Sequence, residues 1–77
     1  MIATQSKMAR AALGLGVREL AKLAEVSPDT VARLERGETL RESTVQAIRK
    51  ALEAQGIQFL EAGLVAMGAG VALRQAE

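Results

Sequence analysis

Apolar residues recur along most of this chain at the three- and four-residue spacing of helices, and along its last quarter at the two-residue spacing of strands. Ala9, Ala12 and Leu13 share one face of a first helix that runs from Thr4 or Gln5 to Leu13, with Thr4 a candidate cap and Gly14 ending it. Leu20, Ala21, Leu23 and Ala24 make the inward stripe of a second helix, Val17 to Glu25, with Gly16 at its N-cap. Val31 and Leu34 do the same for a third, Pro28 to Arg36. After the loop Gly37-Glu38-Thr39-Leu40-Arg41, a fourth helix spans Glu42 or Ser43 to Gln55 and is closed by Gly56. Its Val45, Ile48 and Leu52 point inward, and Gln46, Arg49, Lys50 and Glu53 point to water. Beyond Gly56, Ile57 and Phe59 alternate with Gln58, and Val71 and Leu73 alternate with Ala72 and Arg74. That rhythm predicts a β-hairpin around the Gly-rich stretch EAGLVAMGAG. The expected fold is mainly α, with a four-helix unit over residues 1–56 and a hairpin tail over residues 57–77.

The junction between the second and third helices is the most sharply marked point in the chain. Ser27 is able to accept from a backbone N–H two or three residues on, Pro28 suits the first helical position because it has no N–H to lose, and Asp29 favours the positive helix end. Gly37 supplies the left-handed residue that closes the third helix. Two short helices joined by so tight a break have the sequence form of a helix-turn-helix. Spacing alone leaves two readings open, a helical hairpin in an ordinary bundle or a DNA reader.

Composition narrows the chemistry. At 77 residues the chain is one domain with a limited core, and a partner chain would add burial. With no Cys and no His, disulfides, thiolate chemistry, most zinc sites and His-based acid–base catalysis are excluded. No enzyme, cofactor or metal is expected. The opening MIATQSKMAR lacks the apolar run of a signal peptide, which gives a cytoplasmic location as the expectation. The apolar run Leu64 to Leu73 has ten residues, half of the roughly twenty that a spanning helix needs.

A two-stranded hairpin is marginal in water and has open edges, so something should cover it. Two chains could pair their hairpins into a shared sheet, burying Ile57, Phe59, Val71 and Leu73 in a symmetric dimer, or the hairpin could fold back onto its own helices. The shared sheet is the expected arrangement, because helix-turn-helix proteins usually read two half-sites as dimers.

Net charge is +1, and its distribution says more than its sum. Residues 1–41 carry seven basic groups against five acidic, whereas residues 42–77 carry three against four. A basic face on the N-terminal part is compatible with this balance, as is a solvated mixed-charge surface.

The four helices together resemble the DNA-binding domain of phage-type repressors and Cro proteins, the lambda-repressor-like family. The resemblance covers about Thr4 to Leu52. It is carried by Leu20-Ala21, Val26-Ser27, Thr30-Val31 and Leu34-Glu35-Arg36-Gly37. It implies that Pro28 to Arg36 is a recognition helix that enters the major groove with its N-terminal half near base edges. It also implies that Arg10 and Glu35 form an ion pair linking the first helix to the end of the third. The tail GIQFLEAG…GVALR is similar to a C-terminal extension of many small bacterial regulators of this group, although Leu64-Val65-Ala66-Met67 replaces their polar turn. Two contact positions depart from the family pattern. Val17 stands where Gln commonly touches DNA, and Pro28 and Asp29 stand where amide side chains are frequent.

Within that frame Arg33 is the main candidate for reading a base, since a guanidinium bonds both acceptors of a guanine; the other reading is an exposed Arg paired locally with Asp29. Asp29 could accept from a cytosine amino group or serve only as a cap, Pro28 could touch a thymine methyl, and Thr30 could reach a base, a phosphate or the helix cap. Arg18, Ser27, Arg36, Thr39, Arg41 and Ser43 are candidates for phosphate contacts, which fix register without reading sequence. Lys7 and Lys22 read as solvated charges. The expected function is sequence-specific regulation of transcription by a homodimer on a palindromic operator in double-stranded DNA. The alternatives are an antitoxin whose tail binds a toxin, or a protein-interaction adaptor that has lost DNA binding.

Overall fold

The structure, a computed structural model, describes residues 3–60 and 70–73. Four helices are followed by a hairpin: α1 (Ala3–Leu13), α2 (Val17–Ala24), α3 (Pro28–Glu35), α4 (Glu42–Ala54), β1 (Ile57–Leu60) and β2 (Gly70–Leu73). Among the described residues the four expected helices and the two paired strands are present, with helix ends within a residue or two of those read from the sequence. None of the described helices is long and apolar enough to cross a membrane.

Three helix ends close in the same way. After α1, Gly14 takes φ +70° and the N–H of Leu15 donates to the carbonyl of Arg10 at 2.9 Å. After α3, Gly37 takes φ +89°, its N–H donates to Leu34, and the N–H of Glu38 donates to Arg33 at 3.1 Å. This is the Schellman closure, in which the second residue past the cap reaches back five positions. The end of α2 follows it too, with Val26 donating to Ala21 at 2.9 Å, but the left-handed residue there is Glu25 at φ +58°. A Cβ makes that conformation costly, so the turn between α2 and α3 holds local strain.

Every element contributes to one core. Ala9, Leu20, Ala21, Ala24, Val31, Leu34, Ile48 and Leu52 meet between the helices, and Ile57 and Phe59 of β1 complete the cluster. β1 pairs antiparallel with β2 in the register Ile57 to Leu73 and Phe59 to Val71. Gly56, at φ +99°, turns the chain at the end of α4, and Ile57 and Phe59 of the strand that follows join the core that Ile48 and Leu52 of α4 enter. The guanidinium of Arg49 lies 5.1 Å from the centre of the Phe59 ring, and Gln5 donates from Nε2 to the carbonyl of Leu60 at 3.1 Å, tying α1 to the sheet.

Within the chain, the apolar side of β1 is covered by the helices. Ile57 and Phe59, expected in the contact with a second chain, are 4% and 7% exposed within their own. Val71 is half-buried against the same core, and the side chain of Leu73 and the turn over residues 61–69 lie outside the described residues. Two inward assignments fail. Ala12 is exposed, and Leu23 is 45% exposed. Thr4 sits inside the first turn of α1 and so does not cap it.

α1 is joined to the end of α3 by the ion pair that the family resemblance implies. Glu35 is 7% exposed and accepts from Arg10 through both oxygens, Nη2 to Oε1 at 2.7 Å and Nε to Oε2 at 2.8 Å. The hydroxyl of Ser6, itself buried, donates to Oε2 at 2.7 Å, and Arg10 Nη1 also reaches the carbonyl of Leu15. Burial pushes the Glu35 carboxyl up, yet the hydrogen bonds from Arg10 and Ser6 and the charges of Arg10 and Lys7 together hold it below its ordinary value. The bond to Glu35 likewise raises Arg10. No buried side-chain nitrogen or oxygen among the described residues lacks a partner.

Candidate nucleic-acid interface

α3 is two turns long, and its start is fixed by side chains rather than by length. Ser27 stands in extended conformation, and its Oγ accepts from the N–H of Thr30 at 3.1 Å. Pro28 occupies the first helical position, and the Thr30 hydroxyl lies 2.8 Å from that of Ser27. Thr30 therefore takes part in the cap, while its side chain still borders the surface beyond. The buried side of α3 is Val31, Leu34 and Glu35, which leaves Pro28, Asp29, Arg33 and Arg36 exposed.

Between α3 and the segment leading into α4 lies an open groove of about 390 Å³. Its wall on the α3 side is Ser27, Thr30 and Arg33; on the other side stand Thr39, Arg41 and Thr44, with Val26 and Leu40 as apolar floor. Five candidates from the sequence thus converge on one concavity: Ser27, Thr30, Arg33, Thr39 and Arg41. Hydroxyls and guanidiniums are the donors that bind phosphates and base edges. Thr44, one turn into α4, was not singled out in the sequence because a Thr on the polar side of a helix carries no signal of its own.

The other candidates lie outside that lining. Pro28 and Asp29 are exposed on the first turn of α3, Arg18 on the first turn of α2 and Ser43 on the first turn of α4. Val17 is half-buried and packs against the core, so its departure from the family pattern has a structural use. The start of α2 is held by Glu19, whose carboxylate accepts from the N–H of Gly16 at 2.9 Å; glycine has no side chain to return the bond, so only half of a capping box forms.

Arg33 has a local partner, and it is not Asp29. Its Nε donates to Glu38 Oε1 at 3.0 Å, while Arg36 donates to Glu38 Oε2 through Nε at 3.1 Å and Nη2 at 2.8 Å. These bonds, first from Arg36 and then from Arg33, lower the Glu38 carboxyl below its ordinary value. Glu38 is the residue the sequence reading missed. The signal for it was present, since a Schellman closure at Gly37 brings the side chains at positions 33 and 38 together.

Two helices in tight succession, a capped second helix with an exposed polar face, and a groove beside it lined by arginines and hydroxyls are the parts of a DNA reader. No curated protein matches the chain. A family model described as a helix-turn-helix domain matches residues 3–76, which takes in all four helices and both strands. The chain belongs to the helix-turn-helix family of DNA-binding domains.

Proposed function

We propose that this chain is a sequence-specific, cytoplasmic regulator of transcription of the lambda-repressor-like kind, acting as a homodimer on a palindromic operator, in the simplest case as a repressor. The observation that carries the reading is the groove beside α3, where Arg33 and Arg41 stand among the hydroxyls of Ser27, Thr30, Thr39 and Thr44. In this reading α3 enters the major groove. Arg33 reads a guanine, with Thr30, Pro28 and Asp29 near neighbouring base edges. Arg18, Ser27, Arg36, Thr39, Arg41 and Ser43 hold the phosphate backbone on either side. The helical part, residues 1–56, reads DNA and the tail brings the second copy. Because Ile57 and Phe59 face their own helices, the second copy meets the hairpin at a strand edge and not across its apolar face.

The test is binding to duplex DNA from the gene's own upstream region at two salt concentrations. Affinity should exceed that for an unrelated duplex and fall as salt rises, and Arg33→Ala should flatten the preference between sequences. If Arg33→Ala leaves the preference untouched while Arg41→Ala abolishes it, Arg33 is not the reader. Sedimentation of the full chain, free and on the duplex, should give two copies per site; one copy per site refutes the homodimer.

A further inference from the structure

One carboxylate joins the two arginines at the end of α3. Glu38 takes Arg33 on Oε1, and Arg36 on Oε2. Its position is fixed by the backbone, because the N–H of Glu38 donates to the carbonyl of Arg33 at 3.1 Å and Gly37 makes the left-handed turn between them. Residues five apart at a Schellman closure commonly share an apolar contact, and here an ion pair takes that place.

The two guanidiniums are engaged differently. Arg36 gives Glu38 its whole Nε–Nη2 edge. Arg33 gives only Nε, and its Nη1 and Nη2 make no hydrogen bond among the described residues. Its side chain remains 44% exposed while lining the groove. Guanine presents O6 and N7 as adjacent acceptors in the major groove, and two N–H groups of one guanidinium match them. A carboxylate on Nε fixes the plane of the guanidinium while leaving Nη1 and Nη2 available. Less rotamer freedom then remains to be lost on binding. The same carboxylate cancels one of two neighbouring positive charges, which weakens attraction to phosphates of any sequence.

We propose that Glu38 is a positioning residue for base recognition: it sets Arg33 for a guanine in the operator and at the same time suppresses sequence-independent binding. This rests on the DNA-reading function above.

The experiment starts with wild-type protein selecting duplexes from a randomised pool. Affinities for the selected duplex, for versions with each guanine replaced, and for unselected duplex are then measured at two salt concentrations. Wild type, Glu38→Gln, Glu38→Ala and Arg33→Ala are compared. Thermal melting should be nearly unchanged in both Glu38 variants, since the side chain is exposed and outside the core. Glu38→Ala should lose roughly tenfold of the preference for the one guanine whose discrimination Arg33→Ala also removes. It should bind unselected duplex more tightly, with a salt dependence steeper by about one phosphate contact. Glu38→Gln keeps an acceptor oxygen for Arg33 and should retain most of the preference while showing the same gain on unselected duplex. Wild-type preference in Glu38→Ala, equal losses in Glu38→Gln and Glu38→Ala, or a loss at a base that Arg33→Ala does not affect would each overturn the proposal. A wild-type chain that selects no sequence would overturn the proposed function as well. One whose preference depends on Arg33 but not on Glu38 would overturn this inference alone.

Discussion

Replacing Arg10 with Met removes one partner from a buried ion pair and leaves the other in place. Glu35 then retains only the Ser6 hydroxyl as a hydrogen-bond donor, at a site where the residue is 7% exposed. An uncompensated buried charge of this kind destabilises a fold by about 3–5 kcal/mol, and the 22% exposure of the Arg10 side chain places the effect toward the lower figure. Domains of this size have roughly 4–12 kcal/mol of stability in all, at about 0.05–0.15 kcal/mol per residue. A loss of about 3 kcal/mol therefore lowers Tm by roughly 12–24 °C. The assay is thermal melting followed by circular dichroism between pH 4 and pH 7. In the wild type the folded-state carboxyl of Glu35 lies below its ordinary value of 4.5, so its contribution is present above that value and is lost as pH falls through the lower, folded-state one. In Arg10→Met, burial, the largest cause, is opposed only by the Ser6 bond and the charge of Lys7, so the carboxyl titrates higher than in the wild type and the deficit shrinks as acid neutralises it. The two stability curves should converge toward pH 4. The double variant Arg10→Met with Glu35→Leu, having no charge left to bury, should be more stable than Arg10→Met alone. A melting temperature for Arg10→Met within 3 °C of wild type, or strict additivity in the double variant, would refute the reasoning.

Two further changes probe the turn and the tail. Glu25→Gly relieves a left-handed conformation costing about 1–2 kcal/mol and gives back about 0.5–1 kcal/mol in chain entropy, so Tm should rise by a few degrees, whereas Glu25→Val should lower it; a fall with Gly would mean the strain is absent. Phe59→Ala should cost about 3–5 kcal/mol, read as a lower denaturant midpoint for the helical signal as well as the sheet; helices that stay unchanged would show that the hairpin folds independently.

The parts of the fold legible in the sequence were those set by short-range chemistry. Ser27 and Pro28 mark the start of α3, and Gly14, Gly37 and Gly56 mark helix ends, because a cap or a positive φ depends on the residue itself. Burial was legible only where an apolar stripe sits squarely on its face. Leu20, Ala21 and Ala24 centre the buried arc of α2, and Leu23 falls roughly 100° to one side at the helical step of about 100° per residue. Gln5 and Ser6 were missed for the opposite reason. They are polar yet fully buried, satisfied by Leu60 and Glu35 at positions 55 and 29 residues away, which no local pattern encodes. The covering of the hairpin was likewise a tertiary question, since Ile57 and Phe59 alternate correctly for either partner. At the interface, the candidates that came together were those flanking the junction of α2 and α3 and the loop before α4. Glu38 was passed over because an acidic residue next to DNA counts against binding unless its geometry with Arg33 is known.

A helix of eight residues has little stability of its own, since isolated helices shorter than about 12–15 residues are marginal in water. α3 is nevertheless pinned at both ends, by the Ser27 cap and by the closure at Gly37, and along its buried side by the anchor from Glu35 to α1. Its shape is thus settled when the chain folds, before any duplex arrives. Under the proposed function, recognition of a duplex by α3 is rigid docking, with the ordering entropy already met. The heat-capacity change on association should accordingly reflect the contact area alone, without the large excess that marks segments folding on their target.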